Sequence, residues 1–434
     1  MAKVECETQP AQRRYEMPNA EAPTKRYNRT IYVPFSKPVY IEIVRDALSF
    51  RAYLDEKIAL VPEIFPFHIV DGYLMKDIYF SKKLAIPIRR IEIAAVGYTV
   101  RPSFVMPYLT GEVKDVENAL FFRKFDVPFW AIAHVFGRDS MYWYRMENQL
   151  GKNSIVGTTI KDASLLPEHV AADEKHTWIL GEKRYIATTV ASECILGASI
   201  APDAGAEALT TAYGVFKKET QCIKPDYAPQ TANIDGWLGT QKAWTAIFPS
   251  VFILFCFLHV FIKIRDRAKK KHRSIFLEAT SKLWNCYNAS NRRSFSQRVR
   301  RLIEWAQPSA VPSVILDPIK KLYANLSSYA MAYNYPGAHR TSNMLDRLMQ
   351  KMDRHLFSTR YFHGSLSSAE LNIRGWALIQ NFAPSNPTTV RKYNGYNSPA
   401  ARLNQRQYHD SWLENLLISA SLGGVCAAPQ NPLE

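Results

Sequence analysis

Two aspartates stand at matching places in the chain. Asp173 closes the segment HVAAD (169–173) and Asp235 closes TANID (231–235), so each follows a short apolar run that reads as a strand. If those strands are neighbours, the carboxylates converge at the edge of a sheet. Without a paired Lys or Arg they repel each other until a divalent cation neutralises them. Hard oxygen donors select Mg2+ or Mn2+, and two such ions about 3.5 to 4 Å apart clamp the attacking and leaving oxygens of an in-line phosphoryl transfer. A third acid is needed, and the chain offers two. Asp346, in SNMLDRLMQKMDRHL (342–356), falls in the first turn of a helix that Ser342 or Asn343 caps. It is preferred because a ligand belongs at a capped helix start near the sheet edge. Glu370, in FHGSLSSAELNIRGW (362–376), is the alternative, with Arg374 beside it as a phosphate or structural contact. Arg347 and Lys351 ride on the same helix as Asp346 and suit a phosphate held near the metals.

Other residues near these acids carry chemistry of their own. Glu174 and His176 follow Asp173 and can orient a water or a ligating carboxylate, although a lone histidine is more often packed. Cys256 and His259 suggest zinc, but zinc takes four ligands and no second pair lies nearby. Trp178, Trp237 and Trp244 read as core.

The elements that must position the acids follow from period and punctuation. HVAAD, KRYIATTVA (183–191) and CILGASIAP (194–202) form three strands of an antiparallel meander. A helix over 204–220, a strand over 231–237, a helix over 240–248 and the strand SVFILFCF (250–257) follow. The order βββαβαβ predicts an α/β fold with a mixed central sheet. The apolar run 246–262 holds 17 residues, among them Pro249 and His259. A membrane span takes roughly 20, so the run is expected to be a buried strand entering a helix, with no membrane contact.

Charge points to the partner. The chain has 434 residues, with 55 Lys and Arg against 39 Asp and Glu, a net charge of +16, which favours a polyanion. The segment 263–335 reads as a basic helical insertion in which Lys269, Lys270, Lys271, Arg292 and Arg293 alternate with aromatic residues, a surface suited to DNA phosphates. Within 126–165, a helix over 128–136, a turn at Gly137, a cap at Asp139 or Ser140 and a second helix to about Leu150 predict a helix-turn-helix. Its second helix offers Arg145, Asn148 and Gln149 to the major groove. The first 30 residues lack an apolar core and read as a mobile basic arm, 31–125 as a compact region punctuated by prolines, and 386–434 as a tail whose amphipathic helix serves self-association. Six scattered cysteines make no disulfide framework, which fits a reducing cytoplasm.

ADEKHTW around Asp173, NIDGWLGTQKAWTAIFP around Asp235, CFLH at 256–259 and SNMLDR around Asp346 together resemble the signatures of DDE/D transposases with a ribonuclease-H-like core. The nearest type is the Mutator-like bacterial insertion-sequence transposases, whose core is interrupted by a helical insertion between the second and third acids. The resemblance covers roughly 125–385. It implies a core split into 166–262 and 336–385, Asp173, Asp235 and Asp346 as the metal-binding triad with two Mg2+ or Mn2+ ions, and Cys256 with His259 as a C-x-x-H motif. Asn343, three residues before the last acid, fits the same type. Also implied are strand cleavage and transfer at terminal inverted repeats, double-stranded repeat and target DNA as partners, a homodimer or larger synaptic assembly, and a place on the bacterial nucleoid. The chain departs from most of that type by an Asp where they carry Glu as third acid, which shortens the ligand arm. Two rivals are a catalytically inactive, domesticated DNA-binding descendant and a single-pass membrane protein.

Overall fold

The computed structural model describes residues 29–107, 111–307 and 311–425. All but the last two residues of the expected N-terminal arm lie outside them.

The region 31–125 opens with a four-stranded sheet. Strand β1 (Thr30–Val33) is followed by helices α1 (Lys37–Ile43) and α2 (Ala47–Leu60), then by β2 (Leu74–Ser81), β3 (Ile86–Ile93) and β4 (Val96–Pro102). The spatial order is β1-β4-β3-β2, with β1 parallel to β4 and the other pairs antiparallel. Alternating Ile86, Ile88 and Val100 meet Tyr40, Phe50 and Leu54 of the two helices in one apolar core. Asp46 starts α2 by accepting from the Leu48 and Ser49 amides, which satisfies two of the four donors a helix start leaves unpaired.

Four helices lead to the central sheet: α3 (Val113–Arg123), α4 (Phe129–Phe136), α5 (Ser140–Leu150) and α6 (Ile155–Thr159). The α4–α5 hairpin has the expected turn, with Gly137 at φ 72° and Asp139 accepting from the Tyr142 amide at 2.7 Å. Its second helix is largely covered, with Met141 and Arg145 exposed. It lies along a later helix, α15, so closely that a Cβ on Gly375 would meet the Glu147 carbonyl oxygen at 2.3 Å.

The central sheet matches the order read from the sequence. It comprises β5 (His169–Ile179), β6 (Glu182–Ala191), β7 (Cys194–Ala201), then after α7 (Ala206–Gln221) β8 (Thr231–Ile234), and after α8 (Leu238–Ile247) β9 (Phe252–Phe255). Their order in space is β7-β6-β5-β8-β9, antiparallel from β7 to β5 and parallel from β5 to β9. One face, with Val170, Ala172 and Ala232, packs on Leu209, Tyr213, Phe216 and Trp244 of α7 and α8. The run 246–262 is the end of α8, the strand β9 and the start of α9 (Phe257–Ala268). The strand is not the buried one expected: it lies at the sheet edge, with Phe252 exposed, Ile253 and Phe255 half-buried and Leu254 buried. No described helix is long and apolar enough to cross a membrane.

α9, α10 (Arg273–Tyr287), α11 (Arg292–Ala306), α12 (Ser313–Ala324) and α13 (Leu326–Ala330) build a separate helical core that includes Ile264, Leu283, Phe295, Val299 and Leu322. The chain then returns to the other face of the sheet with α14 (Asn343–Ser358) and α15 (Leu366–Phe382), followed by α16 (Pro387–Lys392), α17 (Pro399–Asn404) and α18 (Trp412–Ser419). Leu345, Leu348, Met352 and Leu356 give α14 an apolar stripe at helical spacing, and it shares a core with Ala171, Ile186 and Trp376.

The tail does something other than expected. Trp412, Leu413, Leu416 and Leu417 of α18 are buried within the same chain, and Ile418 and Leu422 enter the core of the N-terminal sheet. Ser421 Oγ accepts from the Tyr32 amide at 2.9 Å, and Ser103 donates to Glu414 at 2.6 Å. This amphipathic helix therefore fastens the N-terminal unit to the rest of the molecule and leaves no free apolar face for a second copy.

Candidate active site

The register of the parallel strands brings the two aspartates together. Ala171 of β5 pairs with Asn233 of β8, so Asp173 and Asp235, two residues further on, lie side by side on the same face, with strands about 4.8 Å apart. β8 pairs with β9 through Ile234 and Phe255, which puts Cys256 next in the row. Asp235 leaves its strand because Gly236 turns the chain at φ 91°, a conformation that favours glycine, and Asp235 Oδ1 accepts from the Trp237 amide at 2.7 Å. Asp173 Oδ1 accepts from the Glu174 amide at 2.9 Å. Each carboxylate thus has one oxygen held by local backbone and one without a hydrogen-bond partner among the described residues.

The electrostatics of the pair are unfavourable. Burial and the charge of Asp235 push the Asp173 carboxyl up to about 7, with Glu174 adding to the rise and His259 opposing it. No Lys or Arg forms an ion pair with either aspartate among the described residues. His259 lies beside the Cys256 sulfur at the start of α9. Burial works against its charged form, but Cys256 and the two aspartates outweigh this and carry the imidazole up to about 9. Its Nδ1 is buried without a hydrogen-bond partner. Two crowded carboxylates, each with a free oxygen, form a donor set that fits a hard divalent cation.

Asp346 reaches this corner from α14. It is half-buried, and Asp353, seven residues on and so on the same helix face, pairs with Lys175 of β5 at 2.5 Å. Lys175 and Asp173 share a strand face, so the face of α14 that carries Asp346 lies over β5. Ser342 Oγ donates to Asp346 Oδ2 at 2.9 Å. Among the described residues no three His, Cys, Asp or Glu side chains close to ligand distance, so Asp173 and Asp235 form the pair and Asp346 stands at its margin.

Several expected residues are placed elsewhere. Glu370 sits on α15, where it accepts from Ser199 Oγ at 2.6 Å and from the Ile200 amide at 2.8 Å. That amide belongs to edge strand β7, two strands from β5, so Glu370 caps the sheet edge and does not face the acid pair. Arg374 pairs with Glu219 at 2.5 Å and donates to the Gly151 and Asn153 carbonyls, a structural role. Asn148 is buried and bonds Asn372 at 3.0 Å, so it is not available to a base edge; Gln149 is half-buried, and of the three Arg145 alone is exposed. Lys351 lies about 140° around α14 from Asp346, among Arg354, Asp126, Glu193 and Arg402. It is therefore turned away from the acids. Arg347, Asn343, Lys269, Lys270, Lys271, Arg292 and Arg293 are exposed.

The sequence reading missed three features. Glu174 faces away from Asp173, accepting from Tyr213 and Thr240 hydroxyls at 2.7 Å each and tying α7 and α8 to β5; strand alternation alone carries that signal. Trp237 and Trp178 are exposed, at 55% and 41%, while Trp244 alone of the three is core. The sequence offers Ser342 or Asn343 as the cap of α14; Ser342 holds the cap position without a side-chain cap bond and donates to Asp346 instead, at a spacing of four that the sequence also shows.

A comparison with protein-family models finds no match, and a comparison with curated proteins finds none.

Proposed function

We propose that the chain is a metal-dependent DNA transposase of the DDE/D type with a ribonuclease-H-like core. The observation that carries this reading is the pair Asp173 and Asp235, side by side where β5 and β8 run parallel, Asp173 buried within β5 and Asp235 just past the end of β8, with no Lys or Arg among the described residues paired to either. A buried carboxyl raised as Asp173 is, by burial and a neighbouring acid, is typical of sites where charge is used rather than stored. The sheet order β7-β6-β5-β8-β9, the helical insertion between the second and third acids and the return of the chain to the sheet at α14 support the core assignment.

Asp173 and Asp235 would hold Mg2+ or Mn2+, with Asp346 as third ligand. Bound there, the ions would supply an activated water or 3′-hydroxyl and neutralise the leaving 3′-oxygen of a scissile phosphodiester. The chain's own groups do the rest. Local amides fix the two carboxylates, His259 puts positive charge beside them, and Lys269, Lys270, Lys271, Arg292 and Arg293 on the insertion offer exposed charge to the DNA backbone. Trp237 presents an exposed indole two residues past Asp235, a face on which a base can stack.

The test is cleavage of a labelled duplex carrying the terminal repeats that flank the coding sequence, with Mg2+, for wild type and Asp173→Asn. Wild-type cleavage that disappears in the variant while duplex binding persists is expected. Binding without cleavage by the wild type would instead mark a domesticated DNA-binding protein.

A further inference from the structure

The three acids share one feature: each has one carboxylate oxygen tied by a donor within the chain. For Asp173 and Asp235 the donor is the amide that follows. For Asp346 it is a side chain, Ser342 Oγ, and Ser342 is itself held. Its amide donates to Cys256 Sγ at 3.2 Å, and the Cys256 thiol donates to Ser342 Oγ at 3.1 Å. A serine hydroxyl has one proton to give and lone pairs to receive, and here it gives to Asp346 and receives from Cys256. Cys256 and Ser342 are 1% and 2% exposed, so water does not compete for these contacts.

Cys256 belongs to the strand row of the acid pair, next after Asp235. The loop before Ser342 is fastened to the same strands, with Asn233 Nδ2 donating to the His339 carbonyl at 2.8 Å and the Phe257 amide donating to the Arg340 carbonyl at 3.1 Å. Asp346 therefore receives its position through two covalently distant anchors that both lead back to the ends of β8 and β9. We propose that the buried Cys256–Ser342 pair is a positioning device that holds the Asp346 carboxylate toward the Asp173–Asp235 pair, with Oδ2 held and Oδ1 left for the metal. The assignment rests on the metal reading above. Neither Cys256 nor Ser342 touches substrate in this scheme; both act through Asp346.

Two measurements on the full chain test it. The first uses no metal: the rate at which iodoacetamide labels Cys256, followed on its peptide by mass. Ser342→Ala and Asp346→Ala are each expected to label about tenfold faster than wild type, and Ser342→Thr, which keeps the hydroxyl, to label as wild type. Asp353→Ala, on the same helix, is the control for a loosened α14 and is expected to stay slow. Unchanged labelling in Ser342→Ala, or equal acceleration in Asp353→Ala, overturns the relay.

The second measures the rise in thermal midpoint as Mn2+ alone is titrated. Loss of a group that orients a ligand raises the half-saturating concentration by about 10- to 100-fold, and that rise is expected for Ser342→Ala, with Ser342→Thr restoring the wild-type value. If Mn2+ shifts the wild type, Asp173→Asn abolishes the shift and Ser342→Ala keeps the wild-type half-point, the positioning role is overturned while the metal site stands. If the wild type shows no Mn2+ shift, the metal reading fails and the role assigned to Cys256 and Ser342 fails with it.

Discussion

Around Glu147 and around Asp173 the chain buries charge on the same face of its central sheet, with opposite results. Arg123 donates to Glu147 at 2.6 Å and to the Val127 carbonyl; Asn372 bonds Glu147 and Asn148, and His355 Nε2 lies 3.1 Å from Asn372 Oδ1. Arg123 and Glu147 are 0% exposed, and each charge has its counterpart. At the other cluster like charges adjoin, and a free oxygen remains on each aspartate. A satisfied buried network fixes one packing of α3, α5, α14 and α15. Asp126, beside Arg123, also keeps a buried Oδ2 without a hydrogen-bond partner, so the contrast lies in charge: the first cluster sets its acids against Arg123, and the second sets two acids against each other.

The largest effect should come from exchanging acids across this divide. Asp346→Asn is expected to lower DNA cleavage by at least about a thousandfold, equivalent to about 4 kcal/mol of barrier, with the fold intact. Glu370→Gln, at the capped edge of β7, should leave cleavage within about threefold and lower the unfolding midpoint instead. Cleavage lost in Glu370→Gln with Asp346→Asn active would reverse the roles given to the two helices.

Next in size is the scaffold itself. Glu147→Gln leaves Arg123 charged, buried and without its counter-ion, a change that typically costs about 3 to 5 kcal/mol. Urea unfolding followed by tryptophan fluorescence reads it. A loss below about 1 kcal/mol would mean that the cluster is not the satisfied network its distances describe.

The two clusters also differ in how far the sequence revealed them. Strand runs bounded by turns exposed β5 to β9 with their order, and the acids that end β5's parallel stretch and β8 were legible because an aspartate after an apolar run is a local pattern. Asn148 and Lys351 are placed differently from the sequence reading for the opposite reason. Their burial is decided by α15 and by the Asp126–Glu193–Arg402 surroundings, which lie more than twenty residues away and leave no trace in the period of α5 or α14. Glu370 is the same case: a carboxylate on a helix looks like a ligand until the edge amide of Ile200 is found beneath it. Ser342 was legible in part, since its type and its spacing of four from Asp346 are local, but the Cys256 contact that fixes it joins residues 86 apart.

The pH response should distinguish the unsatisfied pair further. Asp173 titrates near 7 in the folded chain against an ordinary 3.8. A carboxyl whose folded pKa is raised contributes stability that is present below the unfolded value and lost as pH climbs through the folded one. Metal-free wild type should therefore fall behind Asp173→Asn, an isostere that stays neutral, between about pH 4 and pH 7. The gap at pH 8 is expected at about 1 to 3 kcal/mol, measured by urea unfolding in chelator. Parallel pH curves for the two proteins would show that neither burial nor Asp235 raises the Asp173 carboxyl.

The smallest effect concerns how DNA reaches the pair. Trp237 is exposed beside Asp235 and contributes little to the core, so Trp237→Ala should leave unfolding unchanged. Base stacking on an aromatic ring is worth about 1 to 3 kcal/mol and depends little on salt. Contacts from Lys269, Lys270 and Lys271 are ionic, and each phosphate they neutralise adds about 0.9 to the slope of log affinity against log salt. Binding measured across a salt series thus separates the two contributions: Trp237→Ala should lower affinity by about fivefold at every salt concentration with the slope intact, whereas replacing the three lysines by alanine should flatten the slope. An altered slope in Trp237→Ala would mean that the indole acts by holding a basic side chain and not by meeting a base.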